Sequence, residues 1–159
     1  MRRLMLLVPV LTLCTTAFAP ASLAKWPAWL SIESPVNPFD RANSGALVLV
    51  HAMTRDGPAK LTDLNGTAQG IVNGSRRSAA IHFDTTSKPG VYAVRKQWPS
   101  EGTWLLQIVL FETTAIVVLD HQGNVASVRV PTELQKGNQI PRAVAGKEID
   151  STLTAAARR

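Results

Sequence analysis

The sequence predicts an all-β chain: an antiparallel, two-sheet β-sandwich of about seven strands, with an N-terminal signal peptide and a short C-terminal helix. Three observations carry this. Short apolar runs recur between turn signals every 8–15 residues from residue 45 onward. No connection between them is long enough for a crossover helix, so neighbouring strands must run antiparallel. No helical periodicity is present before residue 140.

The chain opens on Arg2 and Arg3, an apolar stretch from Leu4 through Leu13, and the small-residue run Ala21-Ser22-Leu23-Ala24. A basic start, a short apolar segment and a small-x-small site are the parts of a secretory signal, with cleavage expected after Ala24. The apolar run is broken by Pro9 and falls short of the ~20 residues that span a bilayer, so no transmembrane segment is expected after cleavage. Cys14 does not make a lipoprotein site, because the bulky Leu13 precedes it. The one cysteine therefore leaves with residues 1–24, and the remainder suits a single domain whose core needs no disulfide or metal.

Residues 25–44 read as an extended lead-in or edge strand, since Pro27, Pro35 and Pro38 deny it helix and a central sheet position. Trp26 and Trp29 are expected to pin it to the body. The sandwich spans residues 45–131. Its first strand is 46–53, stopped by Asp56-Gly57-Pro58. A short strand at 67–72 lies between Asn65-Gly66 and Asn73-Gly74, both hairpin-turn dipeptides. Residues 78–84 follow, with Ala79, Ile81 and Phe83 on one face and Ala80, His82 and Asp84 on the other.

After the turn at Lys88-Pro89-Gly90, a strand at 91–98 puts Tyr92, Val94 and Trp98 in phase. Residues 103–111 return with Trp104, Leu106, Ile108 and Leu110 on one face. A last hairpin joins 115–119 to 125–130 around residues 120–124. Residues 132–159 form a polar connector and then a helical tail, in which Ile149, Leu153 and Ala156 share a side. A helix this short is marginal alone; docking, fraying and partner binding are all open to it.

The formal net charge is +6, but the basic residues are scattered and no basic stripe with interleaved aromatics appears, so nucleic acid is not an expected partner. There is no Gly-x-Ser-x-Gly elbow, no His-Glu-x-x-His and no glycine-rich phosphate loop. A hydrolase would need a serine, a histidine and a carboxylate brought together from distant positions. His51 and Met53 project from one strand face, and imidazole with thioether suits copper, the thioether favouring Cu(I). His82 is a further candidate ligand, with Asp84 on its face. His121 sits in a turn. Asn65-Gly66-Thr67 and Asn73-Gly74-Ser75 match the glycosylation acceptor pattern, but the turn reading suffices for both.

The stretch Pro89-Gly90-Val91-Tyr92-Ala93-Val94 followed by Trp98-Pro99-Ser100-Glu101-Gly102-Thr103-Trp104 resembles a hairpin of bacterial exported immunoglobulin-like domains of the YtkA-like kind, which are similar in fold to the CopC copper-binding proteins. The resemblance covers residues 45–131, most clearly 88–110. It implies an immunoglobulin-like sandwich of the cell envelope, in a group where some relatives are associated with copper handling or oxidase maturation. The sequence departs from the CopC pattern at Lys25-Trp26-Pro27, where no histidine supplies an amino-terminal ligand, so no binding residue is carried over. The expected role is an exported, periplasmic or secreted, non-catalytic binding or accessory module with a protein partner in the envelope. The alternative is a periplasmic copper-handling protein using His51 and Met53, with His82.

Overall fold

The computed structural model describes residues 28–158; the expected signal segment 1–24 and Trp26 lie outside that range. The described chain is mostly β, with antiparallel pairing throughout. One sheet holds β1 (Trp29–Glu33), β2 (Val48–Thr54), β7 (Val91–Val94) and β6 (Asp84–Thr85) in that order, with β3 (Gly57–Pro58) on the end of β2. A second sheet runs β10 (Val125–Arg129), β9 (Thr113–Leu119), β8 (Thr103–Leu110), β4 (Leu64–Val72) and β5 (Ser75–Ala80). A separate hairpin pairs β11 (Thr132–Gln135) with β12 (Asn138–Pro141), and one helix, α1 (Gly146–Ala156), ends the chain.

Alternation decides which face is buried. Val48, Val50 and Ala52 of β2 and Tyr92 and Val94 of β7 join one apolar cluster with Leu64 and Ala68 of β4, Leu106, Ile108 and Leu110 of β8, and Ala115, Val117 and Leu119 of β9. The two sheets thus share one core. Trp98 and Trp104 both belong to it, with ring centroids 6.2 Å apart. The second sheet is apolar on its other face too. Leu105 and Ile116 meet Val144, Ile149 and Leu153 there, so α1 is docked and supplies a further layer.

All seven expected strand regions carry strand, but their bounds and turns differ from the expectation in several places. Residues 78–84 are not one strand: β5 ends at Ala80 in the second sheet and β6 begins at Asp84 in the first. Residues 81–83 carry the chain between sheets, yet Ile81 is buried and Phe83 partly so, on the expected face. The expected strand at 91–98 stops at Val94, and Trp98 reaches the core from irregular backbone.

Asn65-Gly66 is not a turn. Both residues lie inside β4, opposite Val109 and Ile108. Gly66 is needed because a Cβ there would meet Phe83 at 2.7 Å and Ile81 at 2.9 Å: the chain crossing between sheets passes over its backbone. Asn73-Gly74 is the hairpin turn it was read as, with positive φ at both residues. The connector after Pro131 holds the β11–β12 hairpin, turned at Lys136-Gly137 with φ of 48° and 83°.

The lead-in does form an edge strand, β1, paired with β2. Its anchor is not Trp29, which is 60% exposed, but Ala28 and Leu30. Alternation around Leu30 sends Trp29 outward, and Thr113 donates its hydroxyl proton to the Ala28 carbonyl at 2.5 Å.

Candidate functional site

Two places outside the core gather chemistry. The first is the outer face of the first sheet. Because Val48, Val50 and Ala52 point inward, Leu49, His51 and Met53 point out. On β1 the matching outward residues are Trp29, Ser31 and Glu33, and the register sets Trp29 opposite Met53 and Ser31 opposite His51. His51 Nε2 lies 3.0 Å from the Glu33 carboxylate, a diagonal cross-strand pair with each side chain about a third exposed. With Nε2 engaged, Nδ1 is the ring nitrogen left for another group. Met53 is 41% exposed on the same face.

His82 is not part of this group. It follows β5, where its backbone N–H donates to Gln97 Oε1 at 2.8 Å and its carbonyl accepts from Gln97 Nε2 at 2.7 Å. Asp84 pairs with Ala93 and binds Arg95, whereas His51 pairs with Val91, which separates His82 from His51 along the strands and across them. His121 stands in the β9–β10 turn. Among the described residues no three of His, Cys, Asp and Glu gather as a metal-holding group. Ser31 stands opposite His51 in the register, and no hydrogen bond joins its hydroxyl to the ring.

The second place is a groove of about 710 Å³ walled by residues 124–128 on one side and by residues 34–38 and 43–47 on the other. None of these residues is charged. The loop wall is held by Asp40, whose carboxylate accepts the Asn43 side-chain N–H at 2.7 Å and its backbone N–H at 3.4 Å. Those bonds, the side-chain one first, hold the Asp40 carboxyl below the usual aspartate range. Leu47 N–H donates to the Val94 carbonyl at 2.8 Å and fixes the loop to β7.

The opposite wall is set by Asp120. Its carboxylate accepts the backbone N–H groups of Asn124 at 2.8 Å and Gln122 at 2.9 Å. The Asn124 bond leads in holding its pKa below the ordinary value. Two aspartate-closed turns therefore flank the groove.

Strand spacing alone marks His51 and Met53; it does not mark Glu33 or the groove, and it assigns Trp29 to packing against the body. Glu33 and Trp29 reach the site only through the β1–β2 register, and the groove depends on which strand ends the sheet. Among the described residues no helix is long and apolar enough to cross a membrane. Comparison with family models, with curated proteins and with solved structures returned no match for this chain.

Proposed function

We propose that this chain is an exported, non-catalytic binding or accessory module of the bacterial cell envelope, built on an immunoglobulin-like β-sandwich and working in the periplasm or outside the cell. The observation that carries this reading is the uncharged groove beside β10, standing open next to a core the chain closes with its own side chains. A chain with about 18% charged residues that keeps three consecutive runs of neutral residues around one concavity has a surface suited to holding another neutral surface. The basic n-region, apolar stretch and small-residue site at residues 1–24 support export, and the proline-glycine-x-tyrosine hairpin at 89–92 supports the YtkA-like and CopC-like likeness.

A photo-crosslinking residue at Ser127, inside the groove, tests the role in the native compartment. The expected result is a discrete cross-linked species from position 127 and none from the same residue at Lys60, on the far end of the first sheet. Equal labelling, or none from either, removes the reading.

A second reading has its own observation. The carboxylate of Glu33 orients His51 as a metal-supporting carboxylate orients an imidazole, and Met53 and the exposed ring of Trp29 share that face. A soft monovalent cation such as Cu(I) suits an imidazole nitrogen and a thioether, and an indole face attracts a cation. This reading expects stoichiometric Cu(I) uptake by the mature protein that weakens at least tenfold in His51→Ala and in Met53→Leu. Titrations that superimpose for wild type and both variants remove it.

A further inference from the structure

We propose that β10 is a docking edge for an extended, uncharged segment of a partner protein, which adds to the second sheet as a sixth strand. This inference rests on the binding-module reading and names the kind of partner. The face of a strand lines a cavity with every second residue, because side chains alternate. Here Val125 to Val128 line the groove in an unbroken run, and β10 is the outermost strand of its sheet, so the edge of β10 borders the open space.

Among the described residues that edge has no strand partner of its own: β10 ends the sheet and pairs with β9. Among the described residues no backbone hydrogen bond joins residues 125–128 to either loop of the far wall, and Pro35 and Pro38 in that wall have no N–H to offer. A row of unpaired N–H and C=O groups accepts one chemistry best, the main chain of another extended segment.

Two of the other edges are guarded by charge or by brevity. β5, at the opposite end of the sheet, carries Arg76 and Arg77, and charge on an edge discourages pairing. β6 is two residues long. β10 has no charge from Val125 to Val128, and its one cation, Arg129, is drawn to α1, donating to Thr152 Oγ1 at 2.8 Å and lying 3.5 Å from Glu148. The register breaks between Val125 and Ser127, a bulge that bends β10 locally and leaves Val128 and Arg129 in regular register with β9. The occupant is specified as uncharged because the lining offers no counter-charge, and burying an unpaired charge against it is costly.

The test titrates the mature protein calorimetrically with a capped eight-residue peptide of alternating valine and threonine. The same peptide with alternate amides N-methylated is the control that removes main-chain donors without changing charge. The proposal expects saturable one-to-one binding of the first peptide and at least tenfold weaker binding of the methylated one. It also expects new exchange protection at amides within residues 124–128. Ser127→Lys, a change at an exposed position, weakens binding at least tenfold while the melting temperature holds. Equal affinity for both peptides, no binding, or protection confined elsewhere overturns it. So does a dimer in sedimentation that Ser127→Lys dissociates, since the occupant is then a second copy. Cross-links from position 127 with both peptides inert would leave the binding module standing and sink strand addition; no cross-links and no peptide binding would remove both.

Discussion

At the scale of single residues, the core depends on close approaches that leave no room for an added atom. Gly70 of β4 lies opposite Trp104 of β8, and a Cβ on it would sit 2.5 Å from the indole ring. The ring lies flat across the glycine backbone, while its N–H donates to the Glu101 carbonyl at 2.8 Å and fixes its tilt. Gly70→Ala forces Trp104 off that seat and is expected to cost about 1–3 kcal/mol in urea unfolding, with a shift in tryptophan emission; an unchanged midpoint would refute the stacking. Tyr92 donates its hydroxyl proton to the Ala59 carbonyl at 2.6 Å inside the core. Tyr92→Phe keeps the ring and loses that bond, for an expected cost of about 1 kcal/mol by the same measurement. Asp120 supplies the pH dependence. Hydrogen bonds from Asn124 and Gln122 favour its charged form and lower its pKa in the folded chain. Its stabilisation is therefore fully present above the unfolded aspartate range and is lost as pH falls through the lower folded value. The amide proton shifts of Gln122 and Asn124 should titrate together in acid, below the usual aspartate range, and stay flat in Asp120→Asn.

At the scale of elements, the strands that could be read are those whose alternation faces one core. In β2 and β8 the inward sets Val48-Val50-Ala52 and Leu106-Ile108-Leu110 follow the period-two rule directly. The segment 78–84 kept its faces but not its continuity, because a switch between sheets does not disturb alternation and leaves no local mark. Asn65-Gly66 misled for the converse reason: a dipeptide suited to a turn was used for the close passage of Phe83. Of the candidate site, the shared face of His51 and Met53 was legible from spacing alone. Glu33 was not, since its meeting with His51 depends on a register set across 18 residues. The tail helix was legible as amphipathic but not as docked, because nothing in residues 146–156 says that Leu105 and Ile116 wait beneath it. Leu153 is fully buried in that contact. Leu153→Ala is expected to cost about 2–4 kcal/mol, with amide exchange in α1 accelerating more than in β8; uniform acceleration would mean that the helix is not a separable layer.

At the scale of the whole molecule, the two sheets differ in what covers their outer faces. The second sheet turns Leu105 and Ile116 outward with Ile71 and Val118 beside them, a surface that α1 and Val144 close. Its attachment includes polar ties as well. Arg142 donates its backbone N–H to the Pro131 carbonyl at 3.0 Å and accepts from Thr114 at 3.2 Å, and its guanidinium binds Glu148 of α1 at 2.8 Å. Among the described residues the first sheet has a small outer cluster, Leu49, Val91 and Ala93, with Val36 of the lead-in and Ala46 against it. The main core does not include residues of α1, so deleting residues 132–159 should leave the two sheets folded while uncovering an apolar strip on one of them. Burial of each such side chain is worth ~1.5–3 kcal/mol, enough to drive association when the strip is bared. The truncated chain is expected to keep its β-sheet circular dichroism, to bind an apolar dye, and to sediment as oligomers whose size rises with concentration. The full chain should do neither of the last two. A truncated chain that stays monomeric and dye-free would show that α1 is an ornament on the second sheet, and loss of the β spectrum would show that the helix is part of one indivisible fold.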